Sequence, residues 1–184
     1  MKRPSRARSL FHLSGSIIPL IYLATDRRTA LFVALSALVL AALIDTLRIT
    51  GYISAPFLEA LLKEKEMKGP SGTVFYLISC VVAILLFDKD IASASIFVLA
   101  ICDPLSSIVG SKWGRIPLFG KSVEGTGVFL VSSLIVLACF RFGPSAFIPA
   151  AAAAAAAELF SSRFVDDNLT IPLVTALALT LLTR

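Results

Sequence analysis

Hydrophobic and polar positions alternate along this chain in blocks rather than residue by residue. Long apolar runs are separated by short joints carrying Pro, Gly, Asp, Arg and Lys. A run of about 20 apolar residues crosses a hydrocarbon core roughly 30 Å thick as a helix, and runs near that length recur from end to end. The pattern predicts helices at about 12–25, 29–49, 72–87, 91–110, 124–142, 145–160 and 169–183. The fold class expected is therefore all-α: a polytopic membrane protein with about seven transmembrane helices. The first and sixth runs are short and span only if tilted or if the bilayer thins around them. Between the second and third helices, Phe57, Leu58, Leu61 and Leu62 cluster at helical spacing behind Pro56, which predicts a short amphipathic helix lying at the interface.

Composition agrees with that pattern. Hydrophobic residues make up 57% of the 184 positions and charged residues 16%, against roughly 25% charged in soluble chains, and the mean hydropathy is +0.89. No polar stretch is long enough for a separate soluble domain, so residues 1–184 read as a single integral membrane domain. The N-terminal MKRPSRARSLFHLSGSIIPL has a basic start and an apolar run, but no small-residue cleavage site before a polar chain; it reads as a retained segment. Cys80, Cys102 and Cys139 lie in separate apolar runs without CxxC spacing, so they are expected to be buried small hydrophobes, with neither a disulfide framework nor a zinc site.

Charge gives an orientation. With the N-terminus in the cytoplasm, Lys2, Arg3, Arg6, Arg8, Arg48, Lys63, Lys65, Lys68, Lys112, Arg115, Lys121 and Arg163 lie inside. Arg27, Arg28, Lys89, Arg141 and Arg184 lie outside, so twelve of the 17 basic residues follow the positive-inside rule. Asp26, Asp88 and Asp90 fall outside and the other nine acidic residues fall inside or near the inner helix ends. Polar chemistry therefore gathers on one face. The net charge of +5 favours anionic lipid and nucleotide at the inner leaflet.

A carboxylate inside a spanning helix costs roughly 2.5–3.5 kcal/mol when central and marks a functional candidate. Asp45 has Arg48 three residues on, a pair that can neutralise itself. Asp103 has no basic residue within a turn, and the adjacent Pro104 is expected to kink or interrupt its helix. Ser106, Ser107 and Gly110 follow, small enough for close approach of a ligand or a helix. Glu158 ends an alanine-rich run read as a smooth packing face, and Asp166, Asp167 and Asn168 lie just beyond it, either as caps of the last helix or as metal ligands.

Between these carboxylates runs GRIPLFGKS, residues 114–122. Gly120, Lys121 and Ser122 match the end of the phosphate-binding GxxxxGK[ST] loop, but Gly114 lies one residue too far upstream and no strand pattern leads in. Alone it reads as a loop with a stray lysine. Its company changes that reading. Asp103, Glu124 and the Asp-Asp-Asn cluster offer metal ligands, and Lys112, Arg115 and Lys121 offer phosphate charge. Gly110, Gly114, Gly120, Gly125 and Gly127 permit close backbone approach. These are the components of phosphoryl transfer, in which catalysis is largely positioning and charge neutralisation.

Four blocks in chain order resemble the CTP-dependent lipid kinases, the family of dolichol kinase, phytol kinase and yeast-type diacylglycerol kinase. They are Arg8 and His12 in RSLFH; EMKGPSGTVFY, residues 66–76; DPLSSIVGSKWGRIPLFGKSVEGT, residues 103–126; and ELFSSRFVDDNLTIP, residues 158–172. The KGP step, Lys68 to Pro70, is most similar to the phytol-kinase-like branch. The chain departs from the pattern in reading Arg8-Ser9 before the histidine and Cys102 before Asp103.

The resemblance implies a membrane kinase with a CTP donor, a Mg²⁺ ion and a long-chain lipid alcohol as acceptor: a polyprenol or dolichol, phytol or geranylgeraniol, or diacylglycerol. The nucleotide-binding set it implies is Gly110, Lys112, Gly114, Arg115, Lys121, Ser122, Glu124, Gly125 and Thr126, and the metal set is Asp103, Asp167 and Asn168. Asp103, Lys121 and Glu158 carry catalysis, with Asp103 favoured as ligand and the base left between Asp103 and Glu158. His12, Glu66, Lys68, Gly69 and Pro70, with the Asp45–Arg48 pair, fall to the acceptor side or to its support. The competing readings are a cytidylyltransferase passing CMP to a lipid phosphate, and a small transporter or scaffold. No nucleic-acid partner is expected. GSKWG, residues 110–114, matches the GxxxG packing pattern and so allows a homo-oligomer, although its place at a helix end assigns it first to the loop.

Overall fold

The computed structural model describes residues 12–53, 62, 66–67, 69–164 and 166–183. It is all-helical apart from one two-residue hairpin. A helical turn at 12–14 leads into α1 (Ile17–Ala24), followed by α2 (Arg27–Ile49), α3 (Gly72–Leu86), α4 (Lys89–Phe97), α5 (Asp103–Trp113), α6 (Val123–Cys139), α7 (Pro144–Phe164) and α8 (Asp167–Leu182). Each predicted helix is present, with ends shifted by a few residues. The interfacial helix expected around Phe57 falls mostly on residues outside those described, as do Arg8 and Lys68.

Among the described residues, two helices are long and apolar enough to cross a membrane by length and composition, Arg27–Ile49 and the continuous rod Lys89–Trp113; the other apolar helices there are shorter. They occupy different places. The rod is the axis of the bundle: Ile91, Ala94 and Val98 pack into a core shared with α6, α7 and α8, while Ala92 and Ile96 face a second core built by α1, α2 and α3. By contrast α2 lies at the periphery, with Phe32 73% and Val39 67% exposed. The alanine run of α7 lets α6 and α8 pack closely, Ala150, Ala151 and Ala154 being fully buried. Sequence reading placed Cys139 among the buried cysteines, and here it is exposed. The buried stripe of α6 is Gly125, Phe129, Ser133 and Leu137, and two further residues rotate Cys139 about 200° away from it.

α2, α6 and α8 each start with a side-chain cap, from Asp26, Ser122 and Asp166. The Asp26 carboxylate accepts from the Arg28 and Thr29 N–H groups at 2.8 and 3.1 Å and from the Thr29 hydroxyl at 2.8 Å. These bonds, the Thr29 hydroxyl first, hold its pKa below the ordinary aspartate value. Lys89 then reaches back to the Thr25 carbonyl at 2.7 Å and Arg27 to the Phe87 carbonyl at 2.9 Å, which ties the α1–α2 joint to the α3–α4 joint.

Pro104 was expected to kink or interrupt its helix; the helix runs on through it from Lys89 to Trp113, and the irregularity is local. The rod widens instead into a π-helical turn over Val98–Cys102, immediately before Asp103. Proline cannot donate to the carbonyl four residues back and its ring crowds that carbonyl; a wider turn absorbs both defects without ending the helix.

Candidate functional site

One end of the bundle collects the polar side chains. Asp103 stands at the mouth of the π turn, and the Nδ1 atom of His12, 91 residues earlier in the chain, lies 3.9 Å from its carboxylate. Sequence neighbours offered Asp103 no basic partner; the fold supplies an imidazole. From α7, Glu158 is almost fully buried and its Oε1 is 2.5 Å from Lys121 Nζ. Asp103 and Asp167 both lie within electrostatic range of that carboxylate. Four of the predicted residues thus meet across α5, the hairpin, α7 and α8.

The start of α8 has its own internal order. Asp166 is the N-cap and accepts from the Asn168 N–H at 3.1 Å and from the Asn168 amide at 2.7 Å, and a further contact of 3.3 Å joins that amide to Asp167. The capping reading is correct for Asp166, whereas Asp167 and Asn168 are buried. With the amide nitrogen committed, Asn168 Oδ1 is left as a buried acceptor with no hydrogen-bond partner among the described residues, as is Thr126 Oγ1.

The loop is a hairpin. Pro117 pairs with Ser122 and Leu118 with Lys121, and the turn residues Phe119 and Gly120 both have positive φ, 48° and 88°. That is the twist a two-residue hairpin demands, with glycine relieving one of the two left-handed positions. Lys121 therefore sits on a strand, and Ser122 caps α6 by accepting from the Gly125 N–H at 3.1 Å. A P-loop lysine would lie in the helix itself. Glu124 accepts from the Arg115 and Ile116 N–H groups at 2.9 and 3.4 Å, clamping the hairpin to α6. Lys112 lies over the Trp113 ring at 4.5 Å.

Two of the glycines have a packing duty. A Cβ on Gly125 would meet Gly110 Cα at 3.2 Å and the Ser106 carbonyl at 3.1 Å; one on Gly114 would collide with the Gly110 carbonyl and with Ser122 Oγ. They let α5 and α6 cross nearly in contact, whereas Gly127 faces open space.

Asp45 and Arg48 pair at 3.2 Å as expected. Arg48 also donates to the carbonyls of Glu66, Met67 and Gly69, and Asp45 accepts the Ser71 N–H at 2.6 Å. The pair staples the segment leading into α3 against α2. It brings buried Glu66 beside Gly72, where an added Cβ would stand 2.6 Å from Asn168 Nδ2 and 3.4 Å from Glu66 Oε1; Pro70 is exposed. Gly72 and Ser71 were not singled out from the sequence. Nothing but their place after KGP marked them, since their importance lies in a contact with α8, about 95 residues away.

The donor set at this end is oxygen-rich and hard, the kind Mg²⁺ takes when one or two carboxylates are completed by phosphate oxygens and water. Among the described residues no group of three or more His, Cys, Asp or Glu side chains is gathered to hold a metal by itself. Asp103, Asp167 and the Asn168 carbonyl oxygen fit the assisted kind of site.

No family model and no solved structure matches the chain. Curated relatives do. CTP-dependent diacylglycerol kinase 1 of Schizosaccharomyces pombe is 30% identical over 66% of this chain and 65% of its own length. Phytol kinase of Synechocystis is 36% identical over 58% of this chain and 52% of its own. These relatives support the CTP-dependent lipid kinase family for this chain. Uncharacterized protein RP860 of Rickettsia prowazekii is 29% identical over 96% of this chain and 93% of its own length. The chain thus spans only about half to two thirds of the named lipid kinases, and nearly all of the Rickettsia protein.

Proposed function

We propose that this protein transfers the γ-phosphate of CTP to the hydroxyl of a long-chain lipid alcohol. The observation that carries the reading is the buried Lys121–Glu158 ion pair beside Asp103 and Asp167, in a chain related to CTP-dependent diacylglycerol kinase and phytol kinase. Around it the bundle is a multi-pass membrane domain of seven helices, with the N-terminus and this polar end in the cytoplasm. Support comes from the basic-residue bias and from the apolar side chains, such as Phe32 and Val39, exposed along its flanks.

The nucleotide phosphates lie over the hairpin, facing Lys112, Arg115, Lys121 and the N–H groups between Gly110 and Thr126. Asp103, Asp167 and Asn168 would hold Mg²⁺, which would supply charge neutralisation for phosphoryl transfer. The phosphate charge draws Lys121 away from Glu158, and the released carboxylate, poorly solvated, becomes the base. Glu158 takes the proton of the acceptor hydroxyl as its oxygen bonds to the γ-phosphorus. The bond from that phosphorus to the β–γ bridging oxygen breaks, and CDP leaves. His12 and the Asp45–Arg48 staple, with Glu66, Gly69 and Pro70, form the acceptor side and its support. A kinase for a lipid needs its phosphate site where a hydroxyl emerges from the bilayer, which is why a phosphate loop sits in so apolar a chain.

The test is transfer from γ-labelled CTP, with labelled ATP in parallel, by purified protein with Mg²⁺. A labelled lipid phosphate from CTP is expected, falling to background in Asp103→Ala. Release of pyrophosphate with CMP on the lipid, or no transfer to any alcohol, would overturn the reading.

A further inference from the structure

A second feature adjoins the carboxylates. A cavity of about 330 Å³ opens between α1, α2, α3 and the π turn. Its lining is mostly apolar, with Ile18 from α1, Val33 and Ala37 from α2, Leu77 from α3 and Leu99 from the π turn. Ser14, Thr73 and Tyr76 add polar groups, and His12 and Asn168 complete the lining. Those two residues belong to both places, since His12 reaches Asp103 and Asn168 adjoins Asp167. The cavity is thus continuous with the candidate catalytic end.

We propose that this cavity seats the hydrocarbon chain of the acceptor, and that the acceptor is a single-chain primary alcohol, prenyl or alkyl, rather than a two-chain glyceride. The inference rests on the kinase reading and narrows its substrate class. Among the described residues no charged side chain other than His12 lines the cavity, which suits a neutral, apolar occupant. A hydroxyl buried away from water needs hydrogen-bond partners, and His12 and Asn168 offer them beside the candidate carboxylates. The volume is near the low end of small-molecule pockets, roughly 300–1,000 Å³. Taking the roughly 30 Å³ share of a water molecule as the unit, it holds about ten methylene-sized groups. One chain fills that space and runs on toward the bundle surface. A diacylglycerol branches next to its hydroxyl, so two chains and two ester groups would have to enter side by side, through a wall that offers little polar partnership beyond Ser14, Thr73 and Tyr76.

The experiment is photo-crosslinking of the full chain in detergent with a farnesol-length prenyl alcohol carrying a terminal diazirine, without nucleotide, mapped by mass spectrometry. Labelling is expected on the cavity residues of α1, α2 and α3, competed by unmodified prenyl alcohol and not by dioleoylglycerol. Ala37→Phe should lower it by about tenfold or more, because a ring would occupy the chain's space. Leu35→Phe, on the exposed side of α2, should leave it unchanged. Labelling spread over the outward face of α2, or equal competition by dioleoylglycerol, would overturn the proposal while leaving any measured transfer from CTP intact. Cavity labelling without transfer from CTP would uphold the seat and sink the kinase reading instead.

Discussion

The Lys121–Glu158 pair can be taken apart by a double-mutant cycle. At 2.5 Å and an effective dielectric of about 20, the attraction is about 7 kcal/mol before desolvation is charged against it. Breaking a buried pair from one side costs about 3–5 kcal/mol, because the remaining charge is stranded. The Lys121 side chain is 21% exposed and that of Glu158 only 3%, so water compensates the lysine for the lost contact more than it compensates the glutamate. Lys121→Met is therefore expected to cost about 3 kcal/mol, Glu158→Gln less, and the double variant less than their sum. Activity should not follow stability. Removing a lysine that neutralises phosphate lowers turnover by about 10²–10³-fold, and removing a general base by about 10²–10⁴-fold. The assays are thermal unfolding in detergent and phosphate transfer from γ-labelled CTP on the same samples. If the double variant recovers both stability and transfer to near wild type, the pair is only structural and the proposed release of Glu158 is refuted.

Three further outcomes follow from other contacts. Arg48→Ala strands Asp45 and three carbonyls of the segment before α3, so a loss of about 3–5 kcal/mol is expected, seen as a lowered melting temperature and faster proteolysis between α2 and α3; lysine cannot reproduce the fork and should rescue little. Gly125→Ala should cost about 1–3 kcal/mol by wedging α5 from α6, whereas Gly127→Ala, facing open space, should be neutral or stabilise by up to about 1 kcal/mol; paired melting curves decide. The pKa of Asp26 is lowered in the folded state, so its contribution is present above the unfolded-state pKa and is lost as the pH falls through the folded one. Asp26→Asn should accordingly lose part of the wild-type drop in stability on acidification, measured by melting at a series of pH values between neutral and strongly acidic.

Block patterning was enough to predict each helix, because a helix satisfies its own backbone and its register along the chain needs no partner. The local pairs and caps were legible for the same reason: Asp45 and Arg48 lie one turn apart, and Asp166 caps from the position that precedes a helix. The chemistry-bearing residue types could also be listed in advance, since a carboxylate or lysine in an apolar run is conspicuous wherever it points. Partnership across the fold was not legible. That His12 stands by Asp103, that Lys121 meets Glu158, and that Gly72 makes room for Asn168 depend on how α1, α3, the hairpin, α7 and α8 converge at one end. Cys139 turning outward likewise depended on which face of α6 its neighbours cover. Periodicity tells which residues share a face; only packing of the faces decides which face meets which, and so which charges become a site.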